Sequence, residues 1–383
     1  MSRRSGYPSA RSGDTTMIAT RRALLGGFSV LPLAGAFPAL AADERDSRAA
    51  AALDAQFAQH APPAMASAAV GRDGLIWSGA RGVRRAGSDE PATLDQLWHL
   101  GSNGKAMTAV LYARLVEQGR ARWGATLPEL FPGVAIDPAL RAVTIDDLLC
   151  HRSGLSDRDL LTREVMMAGH ADTRSTRDQR VDFAAMVLGQ TPTGTRGTFA
   201  YGNGNYILAG AAVERLADRS WEETIQAEVF DPLGMTSVGH GAPKGDNPWG
   251  HRSVGDQLIP VDPAGVADNP PFLGPAGRIH MTVADYGRFL RLYLTEGAGL
   301  LRPETMARLM TPPEGAPPAY GYGWGVQPGP RLGHDGSNTL WHVTARVLPA
   351  RGVAVLSVAN HHGRGQPANH AMVEALAALY APA

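Results

Sequence analysis

Apolar and polar positions alternate with different periods in different parts of the chain. Residues 43–59 are Ala-rich with helical, amphipathic spacing. Two apolar runs follow, 65–71 and 75–82, joined through Arg72-Asp73-Gly74; Asp-Gly between apolar runs predicts a hairpin. From Gly101 the period becomes helical. An apolar run at 109–116 predicts a buried helix, and 143–150 predicts a short one that Thr144 caps ahead of Asp146 and Asp147. Residues 157–190 are polar and helical in pattern, and Thr191-Pro192-Thr193-Gly194-Thr195 ends them. Helices are expected at 205–217, 221–230 and, from a Thr-x-x-Asp start, 282–294. Between the last two, residues 239–277 are rich in Gly, Pro and Asp and predict long surface loops. Strands return at 340–348 and 353–358, around a Pro349-Ala350-Arg351-Gly352 turn, before a final helix at 368–380.

This order predicts an α+β fold. Strands from both ends share one antiparallel sheet of about five strands, with the N- and C-terminal helices on one face and an inserted helical subdomain beside it. The sheet part is 43–100 and 275–383, and the helical part is 101–274. A cleft between the two is the expected site. With 383 residues, 44% hydrophobic, the chain has ample core for this.

Charge narrows the partners. Formal net charge is zero and no basic run lies in the body, which argues against nucleic acid and an anionic membrane as partners; a small-molecule or peptide substrate is the expected partner. The single cysteine, Cys150, excludes an intramolecular disulfide, and its apolar neighbours Leu148 and Leu149 predict a packed core residue. Residues 1–41 predict an export signal. Arg21-Arg22 precede an apolar stretch from Gly26 to Leu40, and Ala39-Leu40-Ala41 is an A-x-A cleavage site. The paired arginines resemble a twin-arginine signal, so the expected location is periplasmic or extracellular, with no stable membrane span after cleavage. Met17 is an alternative start.

Candidate chemistry begins at Gly101-Ser102-Asn103-Gly104-Lys105, at the start of the 109–116 helix. Residues three apart share a helix face, so Lys105 sits beside Ser102. A serine needs a base before it becomes a nucleophile. Lysine can supply one when desolvated, and arginine cannot. Almost every other cation here is Arg; the only lysines are Lys105 and Lys244. Two further segments carry complementary groups. Tyr201-Gly202-Asn203 offers a phenol for proton transfer and an amide for the lysine or the substrate. His334-Asp335-Gly336-Ser337 lies just before a strand; Gly336 admits a substrate backbone, and the N–H of Ser337 can pair with that of Ser102 as an oxyanion hole. His361, His362 and His370 form no His-Glu-x-x-His or His-x-His-x-Asp pattern, so a surface loop is expected there and neither a metal nor any other cofactor.

Ser-x-x-Lys, Tyr-x-Asn and His-x-Gly in that order resemble the serine β-lactamase and penicillin-binding-protein superfamily, in its class C-like branch of β-lactamases, DD-peptidases, D-aminopeptidases and esterases. Leu148-Leu149-Cys150-His151-Arg152-Ser153-Gly154-Leu155, Pro232-Leu233-Gly234-Met235, Ala276-Gly277-Arg278 and Tyr320-Gly321-Tyr322-Gly323-Trp324 are similar to landmarks of that group. The resemblance implies that Ser102 is acylated, that Lys105 and Tyr201 share the proton transfers, that Asn203 holds Lys105 or the substrate carbonyl, and that His334 replaces the usual lysine. There is no Glu-x-x-Leu-Asn, so class A deacylation is not supported.

Two departures bear on substrate. Asp335 stands where a carboxylate-binding threonine is usual, and if it faces the site it repels an anion. His334 carries a positive charge less reliably than lysine. Both favour an ester, amide or peptide without a terminal carboxylate, acted on through an acyl-Ser102 intermediate. The alternatives are a D-Ala-D-Ala carboxypeptidase, a class C-like β-lactamase, and, outside enzymes, a non-catalytic binder of cell-wall peptides.

Overall fold

The computed structural model describes residues 36–314, 318–329 and 331–381. Most of the expected export signal therefore lies outside the described residues; its last positions enter as the beginning of a helix. In chain order the main helices are α1 (Ala36–His60), α2 (Gly104–Glu117), α3 (Thr176–Leu188), α4 (Asn203–Ala217), α5 (Val283–Arg291) and α6 (His362–Tyr380). The main strands are β1 (Ala64–Gly71), β2 (Gly74–Gly82), β3 (Tyr320–Gly321), β4 (Trp324–Gln327), β5 (Arg331–Ser337), β6 (His342–Leu348) and β7 (Val353–Ala359).

Those seven strands form one sheet in the order β2-β1-β7-β6-β5-β4-β3, with every pairing antiparallel. The sequence pattern implied about five. The two extra strands, β3 and β4, are too short and too glycine-rich to show a period of two, and Tyr322 and Gly323 between them both have positive φ. β5 was legible only as a strand start; it is a full strand, paired with β6 so that His334 faces Ala345 and Asp335 faces Thr344.

Alternation along the central strands sorts the core into two layers. Met65, Ala69, Val353, Val355 and Ala359 point to one face, where Ala49 and Leu53 of α1 and Met372, Val373 and Leu376 of α6 cover them. Ala66, Ala68, Val70, Ala354, Leu356 and Val358 point to the other, against α5 and the helical part. Each fully buried Val or Leu in these layers contributes about 1.5–3 kcal/mol. One polar thread crosses the first layer: Ser67 and Ser357 share a hydrogen bond of 2.8 Å, and Ser357 Oγ donates to Asn369 Oδ1 at 2.7 Å.

The helical part follows the expected pattern with finer breaks. The 157–190 segment is three helices, Asp157–Leu160, Arg163–Ala171 and α3. The loop-rich 239–277 segment contains a hairpin, His251–Val254 with Gln257–Pro260. α6 begins earlier than expected, so His362 is helical along with His370, which the expected 368–380 helix already included, and His361 is its N-cap, its Nδ1 accepting from the Arg364 N–H at 3.1 Å. A surface loop is therefore the wrong description of those histidines: capping by His361 let the helix start before Pro367. Among the described residues, no helix is long and apolar enough to cross a membrane.

Candidate active site

The turn that carries Ser102 is a single helical turn, Gly101–Asn103, leading directly into α2. It is built where three backbones converge, and glycines allow the convergence. Gly101 has φ +50°, and a Cβ there would land on the Ser337 amide nitrogen. A Cβ on Gly336 would land on the Leu100 carbonyl oxygen, and one on Gly323 on the backbone of Ala106. The N–H groups of Ser102 and Ser337 thus lie on facing backbones.

Lys105 is fully buried. Its Nζ donates to Ser102 Oγ at 2.9 Å, to Asn203 Oδ1 at 2.7 Å and to the Ala276 carbonyl at 2.7 Å. Asn203 is the first residue of α4. Asp157 holds that helix start, accepting from the Asn203 N–H at 2.6 Å and the Gly204 N–H at 2.8 Å. Tyr201, two residues earlier, is 42% exposed and presents its ring to the amine: Nζ lies 5.0 Å from the ring centroid. So the structure brings Ser102, Lys105, Tyr201 and Asn203 together from two segments nearly a hundred residues apart.

Beneath Tyr201 lies His151, ring centroids 4.4 Å apart. Its Nδ1 accepts from the Gly202 N–H and from Asn205 Nδ2, both at 3.3 Å. Burial holds its pKa well below the usual histidine range, helped by the charge on Lys105, so it is a neutral support for the Tyr201 loop. Cys150 next to it is buried, and burial pushes its thiol up to about 12, which makes it inert as a nucleophile.

His334 sits on the site side of β5. Its Nδ1 donates to Asn103 Oδ1 at 3.1 Å, and its Nε2 accepts from the Tyr320 hydroxyl at 3.0 Å. Burial, then the charge on Lys105, lowers its pKa to about 4. Near neutral pH it is an uncharged imidazole with a fixed tautomer.

Asp335 is not in the site. β-strand alternation turns it to the opposite face, where its carboxylate accepts from His370 Nε2 of α6 at 2.8 Å and from Arg346 Nη1 at 3.4 Å. Its assignment to substrate binding is thus corrected, and the repulsion argued for it does not reach Ser102. Asp335, His342 and His370 do bring one ligand-type atom each to within 4.8 Å of one another behind the sheet. Their hydrogen bonds are met by protein: His342 Nδ1 accepts from Asn369 Nδ2 at 3.1 Å, while Arg346 and His370 flank Asp335.

The sequence reading missed Asp268, in the segment expected to be surface loop. Its carboxylate is 4% exposed and accepts from His99 Nε2 at 2.9 Å and Asn338 Nδ2 at 2.9 Å. No local pattern marks it, because its partners lie 169 and 70 residues away.

Three comparisons place this geometry. The chain is 30% identical over 329 residues to penicillin-binding protein 4 of Amycolatopsis lactamdurans, covering 80% of this chain and 83% of that protein. It is 33% identical over 189 residues to esterase EstB of Burkholderia gladioli, 45% of this chain and 46% of the esterase. The fold superposes on the octameric penicillin-binding protein homologue of Pyrococcus abyssi with a TM-score of 0.74 and 22% identity, over 87% of this chain and 77% of that one. Residues 49–379 match the sequence model of the Beta-lactamase family, and the chain therefore belongs to that family.

Proposed function

We propose that the protein is an exported serine hydrolase that cleaves an ester, amide or peptide bond through a covalent acyl-Ser102 intermediate, on substrates that need no cation at the His334 position. The observation that carries this reading is the buried Lys105 amine, 2.9 Å from Ser102 Oγ and 2.7 Å from Asn203 Oδ1. In the proposed reaction Ser102 Oγ attacks the acyl carbon while its proton passes to the Lys105–Tyr201 pair. The N–H groups of Ser102 and Ser337 receive the oxyanion. The carbonyl re-forms as the leaving alcohol or amine departs with that proton, and water then releases the acid by the same route.

Substrate class rests on His334 alone, now that Asp335 lies behind the sheet. A neutral imidazole, already bonded at both nitrogens, gives a carboxylate no counter-charge. This favours neutral acyl esters or amides. The similarity to a penicillin-binding protein over 80% of the chain supports the second reading, a D-Ala-D-Ala carboxypeptidase or class C-like β-lactamase. Export rests on Arg21-Arg22 and the apolar stretch after them; the mass of the secreted protein checks it, with a mature N-terminus after Ala41 expected.

Mass spectrometry after incubation with a fluorophosphonate and, separately, a penicillin tests the reading. An adduct on Ser102 from the fluorophosphonate alone is the expected result. Adducts from both would move the lactam-directed reading to the front. Neither would overturn catalysis at Ser102 and leave a peptide binder.

A further inference from the structure

We infer that Asp268 is a positioning residue for the oxyanion hole, tying together the two backbones that carry its donors. This rests on the reading of Ser102 as nucleophile. The carboxylate lies at the meeting point of three segments that surround the nucleophile turn. On the first, His99 Nε2–H donates to Asp268 Oδ2 at 2.9 Å, which leaves Nδ1 as the acceptor for the Gly101 N–H at 3.1 Å. Gly101 directly precedes Ser102. On the second, Asn338 Nδ2 donates to Asp268 Oδ1 at 2.9 Å, and Asn338 directly follows Ser337. Asn338 Oδ1 in turn accepts from the N–H groups of Leu340 and Trp341 at 3.2 Å each, closing the turn after β5. On the third, Arg278 Nε stands 3.4 Å from Asp268 Oδ2. Arg278 follows Gly277, where a Cβ would come within 3.2 Å of the Ser102 nitrogen. His99 is further fixed by stacking on Trp341, ring centroids 5.6 Å apart.

The proton arrangement requires an ionised acceptor at Asp268. Burial raises its pKa, but His99 and Arg278 beside it hold it below the usual carboxylate value. An asparagine there keeps one acceptor oxygen and adds an N–H₂ group. If that group faces His99, the imidazole must move its proton to Nδ1, which then points at the Gly101 N–H, donor against donor. If it faces Asn338, it meets the Asn338 N–H₂. Either way one oxyanion donor shifts while the rest of the cleft, which binds the ground-state substrate, is untouched. Loss of one such donor lowers kcat by about 10²–10³.

The test is Asp268→Asn in the full chain, with p-nitrophenyl ester turnover, fluorophosphonate labelling and circular dichroism. The expected result is a native spectrum, kcat reduced about 100-fold and KM within about threefold, because only transition-state stabilisation is lost. His99→Gln is the second variant and carries the test if Asp268→Asn misfolds; it should show the same split. The double variant should be no slower than the slower single one, as expected of groups acting as a unit. Native-like variants with wild-type kcat, or a loss confined to KM, would overturn the inference while leaving Ser102 catalysis standing. A wild type that neither turns over esters nor labels would overturn the Ser102 reading itself, and this inference with it.

Discussion

An ammonium has three hydrogens, and Lys105 Nζ has three acceptors, Ser102 Oγ, Asn203 Oδ1 and the Ala276 carbonyl. Its geometry is therefore fully determined, and replacement has a specific cost. Lys105→Met keeps the volume but takes this donor from the buried Ala276 carbonyl, roughly 1–3 kcal/mol, and from the half-buried Asn203 Oδ1. The variant should be less stable by urea titration, and fluorophosphonate labelling of Ser102 should slow at least ~1000-fold, since the Lys105–Tyr201 pair proposed to take the Ser102 proton is broken. An equal labelling rate would remove Lys105 from the mechanism. The opposite outcome is expected at Asp335. Its ion pairs with His370 and Arg346 are on the far face and partly exposed, and such pairs contribute about 0–1 kcal/mol. Asp335→Thr should leave ester turnover, and any lactam turnover, within about twofold of wild type. A large gain in penicillin hydrolysis would mean that the far face of β5 does act on the site.

The Ser102 turn depends on how closely secondary-structure elements approach, and that approach is set by residues without side chains. Gly336 of β5 lies against the Leu100 carbonyl with no room for a methyl group. Gly336→Ala must push β5 away from the Gly101–Asn103 turn, and overpacking of this kind costs about 1–3 kcal/mol. The Ser337 N–H moves with the strand, so kcat should fall about 100-fold or more. A stopped-flow ester assay with a parallel melting curve checks both effects; a stability loss with unchanged kcat would separate β5 from catalysis. The same elements explain what was legible beforehand. Ser102, Lys105, Tyr201, Asn203 and His334 could be singled out because each lies in a short local motif. The face of Asp335 could not, because it depends on the β5–β6 register, and a shift of one residue reverses every side chain. β3 and β4 escaped notice because two to four residues show no period. Asp268 escaped notice because its role comes from partners that only the tertiary fold brings near.

At the scale of the whole molecule, the fold buries histidines both beside Ser102 and on the far face of the sheet. His151, His334 and His342 are at most 9% exposed. Burial lowers all three, with Lys105 acting on His151 and His334, and His362 and His370 acting on His342; His334 and His342 come down to about 4. The unfolded chain titrates them near 6.5. Between about pH 6.5 and 4 the unfolded state therefore binds more protons than the native one, so stability rises with pH across that window and is lost as pH falls through it. Each such histidine contributes a slope of roughly 1.4 kcal/mol per pH unit. His334 and His342 together remove roughly 3 kcal/mol per unit in the lower part of the window, and His151 acts in the same direction, against a total stability on the order of 5–15 kcal/mol. Urea midpoints should be nearly level above pH 7 and fall steeply below pH 6. His342→Gln, which lies behind the sheet away from Ser102, should reduce the slope by about one proton and leave the pH profile of kcat unchanged. Midpoints that stay level down to pH 4.5 would mean these imidazoles gain protons in the native state, and the uncharged His334 on which the neutral-substrate reading rests would go with them.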